Sequence, residues 1–306
     1  MTGAAADRRH MARALELASR GLWTTDPNPR VGCVIAHGER VIAEGWHERA
    51  GGPHAEAMAL ARADGPVRGA TAYVTLEPCC HYGRTPPCAD ALIAAGIRRV
   101  HYAVRDPNPR VSGGGVAKLE AAGIEVAGGL LADEARALNP GFLSRFERGR
   151  PWVRVLAVAV PEQDERLQRM RARSSAVLTG SGTVLTRNPR LAVELPGVMR
   201  QPLRVVLDST LSMSPSSLVV AAPGRLLVLT SCQDAGRQAA LVCAGATVEW
   251  LPAATGGVDL ASVLRRLAEL EVNEVQVEAG RRLTAALLAA GLADELPGTG
   301  PLDNRH

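Results

Sequence analysis

The chain has 306 residues, of which 46 % are hydrophobic and 22 % charged, a composition for two folded domains that excludes disorder and low complexity. Its 35 basic and 31 acidic residues, evenly spread along the chain, leave a formal charge of +4 and no basic face for non-specific nucleic-acid binding. Aromatic residues at 3 % argue against a surface that stacks successive bases.

The N-terminus, from Met1 to His10, has no apolar core and does not read as a signal peptide. Asp7 to Arg20 predicts an amphipathic helix with Asp7 as N-cap, followed by a proline-rich loop, Asp26-Pro27-Asn28-Pro29. Val31 to Ala36 and Val41 to Glu44 predict a hairpin. Helices follow at His54 to Ala63, Pro87 to Ala95 and Val116 to Ala122, with strands at Thr71 to Leu76, Arg99 to Val104 and Ile124 to Ala127. This is the order of a three-layer α/β/α domain, covering residues 1–147 and closed by a linker at Phe146 to Pro151.

In residues 148–306, strands at Val153 to Val160, Ala176 to Thr179, Leu203 to Asp208, Leu226 to Thr230, Thr247 to Leu251 and Glu274 to Val277 suit a parallel sheet. They alternate with helices at Glu162 to Arg171, Ala235 to Ala244, Leu260 to Leu270 and Leu283 to Ala290. No run approaches 18 apolar residues, so no membrane span and a cytoplasmic protein are expected. There the six cysteines are thiols or metal ligands. The hexapeptide Asp26 to Val31 recurs at Asp106 to Val111, either as two similar turns or as two loops meeting at one pocket. Gly113-Gly114-Gly115 before a helix reads as a plain flexible loop, with a phosphate cradle as the weaker reading.

The chemistry gathers at His54-Ala55-Glu56, Pro78-Cys79 and Pro87-Cys88. One imidazole and two thiolates leave the fourth position of a tetrahedral Zn²⁺ open for water, as catalytic sites do. Glu56, two residues beyond the histidine, is placed to move that water's proton. His-x-Glu with Pro-Cys and a second cysteine is the pattern of the zinc nucleobase deaminases, although eight residues here separate the two cysteines.

That long cysteine segment, Thr75-Leu76-Glu77-Pro78-Cys79-Cys80-His81-Tyr82-Gly83-Arg84-Thr85-Pro86-Pro87-Cys88, resembles the bacterial bifunctional riboflavin-biosynthesis deaminase/reductases. So do Asn28 to Val34, Gly52 to Ala57, Asp106 to Pro109 and Leu138 to Phe142. The resemblance implies a cytidine-deaminase-like fold and hydrolytic loss of the ring amine from 2,5-diamino-6-ribosylamino-4(3H)-pyrimidinone 5′-phosphate. It implies Zn²⁺ on His54, Cys79 and Cys88, with Glu56 as the proton carrier. Asn28, His47, His81 and Asn108 would contact the substrate, and Arg84 its ribose phosphate. Cys80 stands where the family has serine and reads as a spectator thiol.

For the second half the resemblance implies a dihydrofolate-reductase-like, NADPH-dependent reductase. Arg171 and Glu278 match substrate positions, and Thr183 and Gly280 cofactor positions. The departures are larger. Leu156 occupies the family's lysine position, and a Ser-Leu-Asp-Gly turn and a Trp-Ile-Thr-Gly segment are missing. Arg187 or Asn188 replaces an acid, and the family's terminal strands beyond Leu296 have no counterpart. The half therefore reads as a degenerate, truncated reductase domain for which NADPH is not expected, and the family's usual homo-oligomer is in question. The expected activity is deamination, either for riboflavin or for a pathway that diverts the same pyrimidine, such as the toxoflavin type. Full bifunctionality and a catalytically silent partner of a pathway enzyme are the alternatives. A transfer-RNA deaminase would carry a short Cys-x-x-Cys and a basic surface, and neither is present.

Overall fold

The computed structural model of the chain describes residues 2–81, 86–109, 111–156, 161–198, 200–255 and 257–296. It divides into two units, Met1–Glu147 and Arg148–His306. Among the described residues no helix is long and apolar enough to cross a membrane.

In the first unit, helix α1 (Thr2–Ser19) leads to strands β1 (Gly32–His37) and β2 (Arg40–Trp46). Helix α2 (Ala55–Ala61), β3 (Thr71–Leu76), α3 (Cys88–Ala94), β4 (Arg99–Val104), α4 (Gly114–Ala121), β5 (Glu125–Gly128), α5 (Ala132–Leu138) and α6 (Pro140–Arg148) follow. The sheet order is β2-β1-β3-β4-β5, with β1 antiparallel to β2 and β3, and β3, β4 and β5 parallel. The period of two along β1 splits the core. Cys33 and Ile35 pack with Ala55 and Ala59 of α2, Leu92 of α3 and Leu119 of α4. Val34 and Ala36 pack on the other face with Met11, Ala14 and Leu17 of α1 and Phe142 and Leu143 of α6.

Several boundaries differ from the sequence reading. Helix α1 starts at Thr2, so Asp7 lies inside it; instead of capping, its Oδ1 accepts the Tyr73 hydroxyl at 2.6 Å. The second helix is shorter than read, with His54 as its N-cap. The expected linker at 146–151 is partly helical, because Phe142 and Leu143 give α6 an apolar face to bury.

The second unit comprises β6 (Trp152–Val155), α7 (Glu165–Arg173), β7 (Ala176–Gly180), α8 (Ser181–Arg187), β8 (Leu203–Leu207), α9 (Leu218–Ala221), β9 (Leu226–Thr230), α10 (Ala235–Cys243) and β10 (Thr247–Trp250). A two-residue pair, β11 (Ala253–Ala254) and β12 (Gly257–Val258), precedes α11 (Leu260–Glu269), β13 (Glu274–Val277) and α12 (Arg281–Ala289). Six strands form one parallel sheet in the order β10-β9-β8-β7-β13-β6. Val205, Leu227, Leu229, Val275 and Val277 face α11 and α12, while Val177, Val206 and Val228 face α8, α9 and α10. Two expectations need correction. The strand read through Val160 is assigned only to Val155, and residues 157–160 lie outside the described residues. The helix read from Glu162 starts at Glu165, because the Asp164 carboxylate caps the Leu167 amide at 2.9 Å.

Candidate metal centre and active site

Gly45 in β2 brings α2 close to the sheet: a Cβ there would lie 2.4 Å from both the Ala55 carbonyl oxygen and the Ala59 nitrogen. This approach sets His54 and Glu56 at the helix start against the cysteine segment. His54 Nδ1 stands 3.2 Å from Cys88 Sγ and 3.5 Å from Cys79 Sγ. The three donor atoms all fall within 4.8 Å of one another. Tetrahedral Zn²⁺ at ordinary bond lengths sets its nitrogen and sulfur donors roughly 3.5–3.8 Å apart, so this set fits zinc after small adjustments. The Cys88 amide, opening α3, donates to Cys79 Sγ at 3.3 Å. Hydrogen bonding from Cys88, reinforced by His54, holds Cys79 well below the usual thiol range, while the same bond and burial push Cys88 up. The pair shares a proton that a dication would displace.

Glu56 is buried at 3 % exposure, close to Cys79 and Cys88. Burial, as the dominant cause, raises its carboxyl above the ordinary carboxylate range. A carboxyl so placed can hold a proton beside the donor set and release it again.

His47, at the end of β2, lies edge-on to His54 with ring centres 5.7 Å apart. The Pro53 carbonyl oxygen lies 2.9 Å from His47 Nδ1, and Asn28 Nδ2 lies 3.1 Å from Nε2. Burial lowers the His47 pKa, so the ring is neutral at pH 7. Its one proton then belongs on Nδ1, which donates to Pro53, and Nε2 accepts from the Asn28 amide. Asn28 and His47 are therefore brought together beside the metal donors.

Asp106, Val111 and Gly113 border the cysteine segment, meeting Glu77 and Cys80. The buried Asp106 carboxylate accepts from the Asn108 amide at 2.8 Å, fixing the turn that carries Asn108. Asn28 of the first hexapeptide copy and Asp106 of the second thus lie beside the donor set, the first through His47 and the second through the cysteine segment. His81 is exposed. Arg84 lies outside the described residues. Cys80 is half-buried with Sγ 3.9 Å from the Val111 carbonyl oxygen, and is not one of the three clustered donors.

The glycine run is neither a flexible loop nor a phosphate cradle. The Gly113 and Val116 amides donate to the buried Glu77 carboxylate, at 3.1 and 3.3 Å. The sequence reading passed over Glu77, Asp106 and Asn139. Asn139 pins the first loop, accepting from the Arg30 amide at 2.8 Å and donating to its carbonyl oxygen at 2.9 Å. For Glu77 a signal existed: α4 has no acidic residue in its own first turn, so an anion from elsewhere in the chain would be favoured there.

In the second unit Arg171, read as matching a substrate position, is fully buried. Its guanidinium donates to both Glu278 oxygens at 2.8 and 2.7 Å, to Glu162 at 3.0 Å and to the Ala192 carbonyl oxygen at 3.0 Å. Thr183 Oγ1 accepts from the Gly280 amide at 3.2 Å. The four reductase-type positions thus form two contacting pairs. Asn188 adopts a left-handed conformation and its Oδ1 caps Leu218 of α9.

Residues 4–104 match the family model of the cytidine and deoxycytidylate deaminase zinc-binding region, and residues 150–297 that of the RibD C-terminal domain. The riboflavin biosynthesis protein RibD of Escherichia coli is 41 % identical, over 95 % of this chain and 86 % of its own. That of Haemophilus influenzae is 40 % identical, over 94 % and 83 %. Among solved structures, Acinetobacter baumannii RibD superposes with a TM-score of 0.86 at 38 % identity, covering 96 % of this chain and 86 % of that one. The deaminase/reductase of Thermotoga maritima gives 0.82 at 36 %, with the same coverage. A zinc-binding deaminase region and a reductase-type domain in one chain, with these relatives over nearly its whole length, place the protein in the RibD family of riboflavin-biosynthesis enzymes.

Proposed function

We propose that the first unit hydrolytically deaminates 2,5-diamino-6-ribosylamino-4(3H)-pyrimidinone 5′-phosphate. The observation that carries this is the convergence of His54 Nδ1, Cys79 Sγ and Cys88 Sγ beside the buried Glu56. A zinc ion held by these three donors would supply Lewis-acid activation of a water molecule. Glu56 takes up that water's proton and delivers it to the ring nitrogen next to the amine-bearing carbon, then moves the second proton, from the hydroxyl added at that carbon, to the amine as the carbon–nitrogen bond breaks and ammonia leaves. Burial, which favours the protonated form of Glu56, lets it hold a proton between the two transfers. Neutral His47 holds Asn28 at the pyrimidine edge, and Asn108 on its turn faces the same substrate. Arg84 is assigned to the ribose phosphate from the family pattern alone.

The same reading gives the second unit no reductase step and no NADPH. It rests on Leu156 at the family's lysine position and on an Arg171 guanidinium already engaged by Glu278, Glu162 and Ala192. Full bifunctionality is the second reading, favoured by the family match across residues 150–297 and by the contact between Thr183 and Gly280. One assay separates them: zinc-loaded protein with freshly made substrate, following ammonia release and NADPH oxidation together. Ammonia without NADPH oxidation is expected, and Glu56→Gln should lower the rate by roughly 10²–10⁴-fold with zinc retained. NADPH oxidation would establish bifunctionality, and no ammonia from the wild type would overturn the deaminase reading.

A further inference from the structure

The Glu77 side chain is fully buried and its carboxylate joins three pieces of backbone. Oε2 accepts from the Asp106 amide at 3.3 Å and the Gly113 amide at 3.1 Å, and Oε1 accepts from the Val116 amide at 3.3 Å. Arg105 Nε, on a largely exposed side chain, stands 3.9 Å from Oε2. A carboxylate taken out of water needs such donors, and here the start of α4 supplies two of them. The glycines make the approach possible. A Cβ on Gly115 would lie 1.8 Å from the Pro78 carbonyl oxygen, and one on Gly114 would lie 2.5 Å from Cys80 Sγ.

The cysteine side of this tether has its own anchors: the Glu77 amide donates to Val104 at 2.9 Å, and the Ala89 amide donates to the Cys79 carbonyl oxygen at 3.1 Å. The Cys88 amide holds Cys79 Sγ as well. Across the tether the Asn108 amide bonds Asp106, Val111 and Ser112 bond the Asn108 carbonyl oxygen, and Cys80 Sγ lies 3.9 Å from the Val111 carbonyl oxygen, while the Glu77 carboxylate takes the Asp106 and Gly113 amides.

We propose that Glu77 is a positioning residue of the deaminase site: it sets loop 106–113, and Asn108 with it, against the cysteine segment, and governs substrate binding rather than metal retention. This rests on the deaminase reading above. The test compares wild type, Glu77→Gln and Glu77→Asp by zinc content, by kcat and KM for ammonia release, and by amide hydrogen exchange. Glu77→Gln keeps the volume but turns an NH₂ group toward the amides. It should retain about one zinc per chain, raise KM about 10-fold or more and leave kcat within about 3-fold. Exchange at Asp106, Gly113 and Val116 should accelerate at least about 10-fold, with α2 and α3 unchanged. Glu77→Asp, which restores the charge at shorter reach, should give an intermediate KM. Loss of zinc, or an unchanged KM, would overturn the proposal. If the wild type releases no ammonia, the deaminase reading fails and exchange alone judges the tether, unchanged exchange in Glu77→Gln counting against it. If neither variant folds, the wild type decides: slow exchange at all three amides supports the tether, and unprotected amides refute it.

Discussion

Asp106 shows how much one side chain's surroundings decide. Burial is the main cause that raises its pKa from the ordinary 3.8 to about 6, and the nearby charges of Glu77 and Cys79 add to the shift. Below about pH 4 it is protonated in both folded and unfolded chains and contributes nothing to the pH dependence. As pH rises through about 4 to 6 the unfolded chain ionises first, the folded state binds more protons, and stability falls. At about 1.4 kcal/mol per pKa unit the loss is on the order of 3 kcal/mol and is complete above about pH 6. Asp106→Asn keeps an acceptor for the Asn108 amide and cannot ionise. It should be more stable than the wild type at pH 7.5, with the difference shrinking toward pH 4.5 in urea unfolding curves. Parallel curves across that range would refute the assignment. Nothing in the sequence around Asp106 announces this, because the same Asp-Pro-Asn-Pro at Asp26 sits in a different environment.

At the scale of elements, the site depends on how closely α2 approaches the sheet. The histidine and glutamate sit on the first turn of a seven-residue helix too short to be stable alone. Docking on β1 and β2, allowed by Gly45, holds that turn in place. Gly45→Ala would put a methyl group 2.4 Å from the helix backbone, so the helix must shift and carry His54 and Glu56 away from the cysteines. The expected result is destabilisation of about 1–3 kcal/mol or more, together with loss of bound zinc on gel filtration. A variant that kept full zinc content would show that the helix docks with more freedom than this geometry allows. The helices the sequence reading missed, α5, α6, α8 and α9, share one cause. They are short, and their apolar residues form a face only once a sheet is present to receive it.

At the scale of the whole molecule, the two units bury charge differently. The first unit keeps its buried carboxyls at the site, in Glu56, Glu77 and Asp106. The second carries buried arginines at the β6 and β13 side of its sheet. Arg154 donates to Glu295 at 2.9 Å, Arg173 lies 3.1 Å from Glu274, and Arg171 is clamped by Glu278. Glu278→Ala would leave Arg171 buried with Glu162 as its remaining acidic partner. The expected cost is about 3 kcal/mol in the second unit's unfolding, with zinc content unchanged. A denaturation curve matching the wild type would mean that Glu162 alone suffices. A parallel sheet calls for near-continuous apolar strands, which β9 provides, but β6, β8 and β13 depart from it, with Arg154, Arg204, Glu274 and Gln276 buried among them. Strand periodicity reports which residues alternate, and it cannot say that a buried face will be lined with ion pairs.

The sequence by itself determined the α/β layout, the family and the residue types of the metal centre, because ligand chemistry and strand patterning are written in local spacing. His54, Cys79 and Cys88, whose donor atoms the structure clusters, were legible for that reason. Only the tertiary structure decided that Glu77 fills the start of α4, that Asn139 pins the first loop and that Arg171 is sealed by Glu278. Each of these is a contact between residues 36 to 109 positions apart. Whether a buried polar group is satisfied depends on which distant donor reaches it, and no local pattern encodes that.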